Sequence, residues 1–266
     1  MKICFIGGGN MGEAIIKSLL AKGLAKPDDI TASDVSEARR DILKKKYCIK
    51  TVTNNEQAVS GAEVVVLAIK PQELTKVLAE LKGLSAKQLV LSIIAGATIE
   101  TLEEGLGHSG IVRAMPNMPA QIGEGMTVWT ATANVNQKQK DMAQSILAAM
   151  GKEIYVSGEK YIDMATAVSG SGPAYIFLII EALVDAGVHI GIPRDMAEKL
   201  VIQTVLGSTK SLEVMGKHPA ELKNMVTSPG GTTSEGLLQL ETGGLRSLLL
   251  KAVIAAYNKS KALGAK

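Results

Sequence analysis

The first candidate site is the glycine-rich segment from Gly7 to Gly12, which reads Gly-Gly-Gly-Asn-Met-Gly and follows an apolar run from Lys2 to Ile6. It matches the pattern G-x-G-x-x-G between a predicted strand and a predicted helix from Glu13 to Leu20. Glycines there let the backbone approach a pyrophosphate, which binds the N–H groups at the start of the helix. The segment therefore predicts a nicotinamide dinucleotide site, with a structural glycine turn or another nucleotide as alternatives.

The type of nicotinamide cofactor depends on the residues around Asp34, which ends the second predicted strand. An acid at this position favours the free 2′-hydroxyl of NAD, whereas a nearby arginine favours the 2′-phosphate of NADP. Arg39 and Arg40 lie a turn or more into the next predicted helix. These residues by themselves leave both cofactors open.

The second candidate site is the segment from Thr227 to Glu235, which precedes a helical run from Gly236 to Glu241. Thr232 and Glu235 have the spacing of a capping box, which indicates an ordinary helix start. The same segment also fits a carboxylate site, because its paired glycines leave backbone N–H groups bare and its hydroxyls can orient a polar atom. The residues do not decide between these two interpretations.

The remaining reactive side chains predict structural roles. His108, His189 and His218 are too dispersed for a metal set, so we expect surface or capping roles and no metal site. Cys4 and Cys48 lie in predicted strands, lack a C-x-x-C spacing and are expected to be buried small hydrophobes. Neither residue type forms a nucleophile motif.

The elements that must position these sites alternate in the first half of the chain. Apolar runs typical of strands alternate with helical patterns, which predicts βαβ units around a mostly parallel sheet. The runs from Val64 to Ile69 and from Leu89 to Ile94 are apolar throughout, as expected of central strands covered on both faces. The other predicted strands are Lys2–Ile6, Ile30–Asp34, Cys48–Val52, Ile111–Met115, Thr127–Ala131 and a short one at Ile154–Val156.

Helical patterns replace strands after about residue 158. The fold class is therefore α/β, with a Rossmann-type domain at residues 1–158 and an all-helical substrate-binding and dimerisation domain at 159–266. Ser169–Pro173 predicts a glycine-rich turn before a helix from Ala174 to Val188, and Asp195–Leu212 predicts another helix. The first of these helices is apolar on nearly every side, which indicates burial against a second subunit. We expect a homodimer and leave a higher oligomer of dimers open.

Composition excludes several classes of protein. The net charge of +3 is spread along the chain, which gives no footprint for nucleic acid. The apolar stretch from Ala174 to Ile190 contains Glu181, Asp185 and His189, so we expect no membrane span. A strand that opens at Lys2 leaves no room for a signal peptide, and a cytoplasmic protein is expected.

Several specific motifs are spread over essentially the whole chain. They are Gly7–Gly12, Ala68–Gln72, Met115–Ala120, Ser169–Ala174, Ser228–Thr233, Leu240–Glu241 and Gly243–Gly244. Together, and in this order, they resemble the motifs of the pyrroline-5-carboxylate reductase family. The resemblance implies hydride transfer from a reduced nicotinamide to the C=N carbon of pyrroline-5-carboxylate, which gives proline. Such a substrate is already electrophilic, so positioning and protonation of nitrogen are sufficient and no metal is needed.

The resemblance also implies the site residues. The substrate carboxylate is held by Ser228, Gly230, Gly231, Thr232 and Thr233, and the Thr233 hydroxyl orients or protonates the ring nitrogen as the catalytic residue. The cofactor, NADP with NAD left open, is bound by Ile6, Gly7, Gly8, Gly9, Asn10, Met11, Gly12, Asp34, Asn55, Ala68, Ile69, Lys70, Pro71, Ile93, Ile94, Ala95 and Glu159. Within this set Ile6–Met11 hold the pyrophosphate, Asn55 a ribose, and Ala68–Pro71 with Ile93–Ala95 the nicotinamide half. Glu159 stands where the family has a residue near both ligands.

Two positions depart from the family's sequence pattern, and two other kinds of protein are alternatives to a reductase. Val35-Ser36 stand where many members have an arginine, and Met225 stands where some have a polar residue near the substrate. A β-hydroxy-acid dehydrogenase would place a lysine donor in its helical domain, where this chain offers Ser and Thr. A non-catalytic nicotinamide sensor would have no need of the loop from Ser228 to Thr233.

Overall fold

The computed structural model describes residues 1–264, and eight strands of this part form one sheet. The strands are β1 (Ile3–Ile6), β2 (Ile30–Ser33), β3 (Lys50–Val52), β4 (Val64–Leu67), β5 (Leu89–Ser92), β6 (Ile111–Pro116), β7 (Gly125–Ala131) and β8 (Gly151–Tyr155). Their order in the sheet is β3-β2-β1-β4-β5-β6-β7-β8. All neighbours are parallel except β6 and β7. The predicted mostly parallel sheet is confirmed.

Helices follow the strands and then fill the second half of the chain. They are α1 (Asn10–Ala21), α2 (Glu37–Tyr47), α3 (Asn55–Val59), α4 (Leu74–Glu80), α5 (Ile99–Leu106), α6 (Gln137–Ala148), α7 (Lys160–Ala165), α8 (Gly172–His189), α9 (Arg194–Met215), α10 (Pro219–Met225), α11 (Thr232–Thr242) and α12 (Leu245–Gly264). Short 3-10 turns occur at Pro27–Asp29, Pro71–Glu73 and Met118–Ile122. The helical second half is also as expected.

Alternate residues of the central strands enter two separate cores. Phe5, Val66 and Leu91 pack with apolar residues of α1 and α6 on one face. Ile6 and Val65, together with residues of α4 and α5, form the core on the other face. Because both faces are covered, β4 and β5 are apolar throughout, as their sequences predict.

The chain divides into two compact units. One contains Met1–Ser171 and the segment from Ala255 onward, and the other contains Gly172–Ile254. Within the second unit α8 packs against α9, where a Cβ on Gly187 would lie 3.2 Å from the Cβ of Ala197. The domain boundary at residue 158 stays a prediction.

The prediction of a glycine-rich turn at Ser169–Pro173 is wrong for the first two of these residues, Ser169 and Gly170. Thr166–Gly170 form a π-helical turn, closed by the Ser171 N–H, which donates to the Thr166 carbonyl at 2.8 Å. Pro173 has no N–H to donate four residues back, so the helix ladder is already interrupted here. By length and composition the helical segment Lys160–His189 is apolar enough to cross a membrane, so its polar residues do not exclude a span as expected. A core helix of a soluble protein has the same length and composition.

Two further expectations are corrected by burial. Cys48 is exposed and ends α2 in a left-handed conformation, with φ of 56°, because the chain must turn sharply before β3. His108 is buried rather than on the surface, and its Nε2 lies 2.9 Å from the Gln88 carbonyl oxygen. By contrast, His218 caps α10 by accepting from the Ala220 N–H, as predicted, and Cys4 is buried as expected.

Candidate cofactor and substrate sites

A cleft of about 810 Å³ lies at the carboxyl ends of β1, β2, β3 and β4, where ligands bind in open α/β sheets. The expected cofactor residues that line it are Ile6, Gly7, Gly9, Asn10, Met11, Asp34, Asn55, Ala68, Ile69 and Lys70. The expected ones outside its lining are Gly8, Gly12, Pro71, Ile93, Ile94, Ala95 and Glu159. A second cleft of about 840 Å³ lies at the opposite ends of the strands, among residues that the sequence does not connect with chemistry.

The glycine turn is shaped by close backbone contacts. Gly7 has φ of +99°, and a Cβ there would lie 2.6 Å from the Ala68 carbonyl oxygen. A Cβ on Gly12 would lie 2.5 Å from the Gly7 oxygen, although Gly12 does not line the cleft. Gly9 differs, because a Cβ there would meet no protein atom within 4 Å. Gly7 and Gly12 therefore serve the fold of the turn, whereas the space beside Gly9 is open to a ligand.

Asp34 lines the cleft and also holds the glycine turn. Its Oδ2 accepts from the Gly8 N–H at 2.7 Å, and its Oδ1 accepts from the Ser36 N–H at 2.8 Å. Both carboxylate oxygens therefore have backbone partners already. Gly8 does not line the cleft itself, but it contributes to the site through its hydrogen bond to Asp34.

Arg39 is a cleft residue that the sequence did not place. Its Nη2 donates to the Gly8 carbonyl at 2.6 Å and to Glu13 Oε2 at 2.6 Å, which brings the guanidinium from α2 to the glycine turn. Burial raises the pKa of Glu13, but hydrogen bonds from Arg39, Lys46 and Tyr47 outweigh it and lower that pKa to about 2. The carboxylate is thus charged at neutral pH and fixes Arg39 beside the cleft.

Other lining residues that the sequence missed lie at the end of β2, in the loops after the strands, in the 3-10 turn Pro71–Glu73 and in α4. They are Ser33, Val35, Thr53, Glu73, Lys76, Val77 and Glu80. A signal for those that follow strands was their place after a predicted strand, since every carboxyl end of a parallel sheet faces the same crevice. For α4 the sequence carried no comparable signal.

The loop that joins β5 to α5, residues 93–98, follows the next strand of the sheet. The Ile93 N–H donates to the Leu67 carbonyl at 3.1 Å, so the loop begins beside the end of β4. Glu159 lies near its far end and accepts from the Ile99 N–H at 2.7 Å through Oε1. The same oxygen accepts from Arg113 Nη1 at 2.6 Å. The expected contact of Glu159 with ligands stays a prediction.

The segment from Ser228 to Thr233 lies in the second unit and ends at the start of α11. Gly231 is the N-cap, and it provides no side-chain cap. Gly231 N–H donates to the Ser228 carbonyl at 3.0 Å, and Ser234 Oγ donates to the Gly231 carbonyl at 2.7 Å. The capping box expected from Thr232 is therefore absent, because Thr232 is already inside the helix. A glycine cap leaves the first N–H groups of α11 available to an anion.

Two family models match the chain. The model described as pyrroline-5-carboxylate reductase dimerisation matches residues 159–263. The model described as NADP oxidoreductase, coenzyme F420-dependent, matches residues 2–96. The two matches correspond to the helical and the glycine-turn parts of the sequence.

Relatives match over nearly the whole chain. A pyrroline-5-carboxylate reductase from Synechocystis is 44% identical over 266 residues, covering 100% of this chain and 99% of the relative. One from Arabidopsis thaliana is 40% identical, covering 98% of this chain and 95% of the relative. The solved structure of one from Coxiella burnetii gives a TM-score of 0.90 at 42% identity, covering 98% of each chain. That of the Plasmodium falciparum pyrroline carboxylate reductase with NADP bound gives 0.91 at 34%, covering 99% of this chain and 98% of that one.

Proposed function

This chain belongs to the pyrroline-5-carboxylate reductase family. From that premise we propose which of its residues bind the cofactor, which bind the substrate and which one helps to protonate it. The reaction is NAD(P)H-dependent reduction of the C=N bond of 1-pyrroline-5-carboxylate to L-proline, the last step of proline biosynthesis. Use of NADP agrees with the family model described as an NADP oxidoreductase and with the Plasmodium falciparum structure that has NADP bound. The first unit supplies the cofactor site and the second supplies the substrate loop.

The cofactor lies in the cleft at the carboxyl ends of β1 to β4. The N–H groups at the start of α1 bind its pyrophosphate, and the open space beside Gly9 fits this group, since a side chain would fill it. Asn55 binds a ribose, and Ala68–Pro71 with Ile93–Ala95 contact the nicotinamide half. When bound, the reduced nicotinamide supplies the hydride.

Arg39 supports the choice of NADP over NAD in this cleft. Asp34 already has a backbone partner on each oxygen, so it has less to offer a 2′-hydroxyl than its position after β2 suggests. Arg39 lies in the same lining and is held there by Glu13 and the Gly8 carbonyl. A guanidinium at this place favours a 2′-phosphate. Arg39 thus compensates for the arginine that is missing at Val35-Ser36.

The loop from Ser228 to Thr233 binds the substrate. Bare N–H groups at the start of α11 hold the carboxylate, aided by the partial positive charge of the helix N-terminus. The Thr233 hydroxyl hydrogen-bonds the ring nitrogen and helps protonate it as the neighbouring carbon accepts the hydride. The observation that carries this proposal is the glycine cap of α11, which leaves these N–H groups without a side-chain partner.

The protein is a homo-oligomer, and we propose a dimer as its basic unit. Large apolar side chains of α8 and α9 are exposed in the single chain, including Phe177, Leu178, Leu200, Ile202 and Leu206. Such a surface is typical of a permanent interface rather than of a monomer. Light scattering at micromolar concentration tests this, and a monomer would contradict it.

We also propose a cytoplasmic location, since both cysteines are free thiols.

Turnover of NADPH by the purified protein with pyrroline-5-carboxylate tests the reaction, and NADH in parallel ranks the cofactors. Thr233→Ala tests the catalytic role, with Thr233→Ser as a matched control that keeps the hydroxyl. We expect Thr233→Ala to lower kcat by about 100-fold, the usual scale for a proton donor, and Thr233→Ser to retain most activity. An unchanged kcat in Thr233→Ala would remove Thr233 as donor.

A further inference from the structure

Arg113, in the middle of β6, is the one fully buried Lys, Arg, Asp or Glu among residues 1–264, with 2% of its side chain exposed. Its Nη1 donates to Glu159 Oε1 at 2.6 Å, and its Nη2 donates to Asp163 Oδ1 at 3.2 Å. The third donor, Nε, has no partner among the described residues. Replacing a buried ion network by apolar side chains is often neutral or stabilising, so this network is weak evidence for a role in stability alone.

Glu159 connects this arginine to the loop of residues 93–98. Its Oε1 accepts from the N–H of Ile99, the first residue of α5, at 2.7 Å. Thr98 caps the same helix by accepting from the Thr101 N–H. The loop therefore ends at a helix start that a carboxylate fixed by Arg113 holds in place. Its beginning is fixed by the hydrogen bond from Ile93 to the end of β4.

Asp163 connects the arginine to the end of α12. Its Oδ1 accepts from Ser260 Oγ at 2.9 Å, and Ser260 is only 4% exposed. One turn further on, the helix lies against the loop. A Cβ on Gly96 would lie 2.9 Å from the Cβ of Leu263, and a Cβ on Gly264 would lie 3.2 Å from the Gly96 carbonyl oxygen. The same guanidinium is thus linked, through these two carboxylates, to the start of α5 and to the end of α12.

We propose that Arg113, with Glu159, Asp163 and Ser260, is a positioning residue that sets the loop of residues 93–98 for hydride transfer. This inference rests on the proposed contact of Ile93–Ala95 with the nicotinamide half. The pyrophosphate and ribose contacts lie in a different part of the site, at α1 and Asn55. A loosened loop therefore misplaces the reacting carbon while the cofactor stays bound. Displacements of about 1 Å can lower a rate about 100-fold.

Asp163→Asn is the main test, because it keeps the size of the side chain and an acceptor for Ser260 but removes the charge that pairs with Arg113. Ser260→Ala is a milder second variant, which removes only the link from α12. His108→Gln is the control: His108 is also buried in this unit, but its partner is the Gln88 carbonyl. Each variant is tested for thermal unfolding, for NADPH affinity by fluorescence, for kcat, and for the kinetic isotope effect with deuterated NADPH.

For Asp163→Asn we expect kcat to fall about tenfold or more, with a larger isotope effect and an NADPH affinity within about twofold of the wild type. Ser260→Ala should change the same quantities less. His108→Gln should lower the melting temperature with kcat unchanged. Unchanged kcat in Asp163→Asn and Ser260→Ala, or an equal loss in His108→Gln, would overturn the inference. Wild-type protein that binds NADPH without reducing the substrate would overturn the proposed function, and this inference with it.

Discussion

Replacing Gly9 by alanine separates a glycine required by the ligand from those required by the fold. Gly9 is the N-cap of α1 with φ of −67° and ψ of −173°, an extended conformation that alanine adopts freely. Its added Cβ would meet no protein atom within 4 Å. We therefore expect the free energy of unfolding to change by less than about 1 kcal/mol, the scale of an N-cap substitution.

The same methyl group would occupy the cleft at the start of α1, where the pyrophosphate is proposed to bind. Losing one or two charge-assisted hydrogen bonds costs about 1.5–3 kcal/mol each. At about 1.4 kcal/mol per tenfold, this predicts NADPH binding weaker by roughly 10- to 100-fold or more. A fluorescence titration with NADPH measures this change, and thermal unfolding measures stability in the same sample.

Gly12→Ala is the matched comparison in the same turn. Its Cβ would lie 2.5 Å from the Gly7 oxygen, a backbone atom that cannot move aside without shifting the turn. Overpacking of this kind costs about 1–3 kcal/mol. We expect this variant to lose stability as well as affinity. The reasoning is refuted if Gly9→Ala binds NADPH like the wild type, or if it is destabilised as much as Gly12→Ala.

Two further predictions concern single side chains. The pKa of Glu13 is lowered from 4.5 to about 2 in the folded protein. The stability that the charged carboxylate contributes is therefore complete above pH 4.5 and is lost as the pH falls towards 2. Because Glu13 is partly solvated, this contribution is about 1–3 kcal/mol. The difference in unfolding free energy between wild type and Glu13→Gln should therefore shrink as the pH falls from 4.5 towards 2. A difference that stays constant over this pH range would contradict the prediction. Burial raises the pKa of the Cys4 thiol to about 12, whereas Cys48 is exposed. A thiol reagent should therefore modify Cys48 alone in the native protein and both cysteines after unfolding, as mass spectrometry would show; early modification of Cys4 would argue against its burial.

Much of the cleft proposed for the cofactor was predictable because its signals are local. The glycine pattern needs only a preceding strand and a following helix, and both are encoded by short runs around residues 7–12. The both-face burial of β4 and β5 was likewise predictable from their uniformly apolar sequences. Cys48 shows the limit of such patterns, since an apolar run does not reveal where a helix ends and the strand begins.

The loop from Ser228 to Thr233 was predictable as a candidate substrate site, but its geometry was not. Its glycines and hydroxyls allowed either a capping box or a bare helix start. Only the backbone conformation decided that Gly231 is the cap. A shift of one residue in the start of α11 separates the two interpretations, and helix boundaries are the least reliable part of a prediction from sequence.

The α/β fold, the glycine turn and the family can be predicted from the sequence, because they depend on local periodicity and on motifs within a few residues. Which polar groups meet depends on the packing of elements that are distant in the chain. Arg39 reaches Glu13 across 26 residues, and Arg113 reaches Glu159 across 46. Asp163 reaches Ser260 across 97 residues. A charged arginine inside an apolar strand needs a partner, but strand register and helix packing alone determine which carboxylate lies within hydrogen-bonding distance.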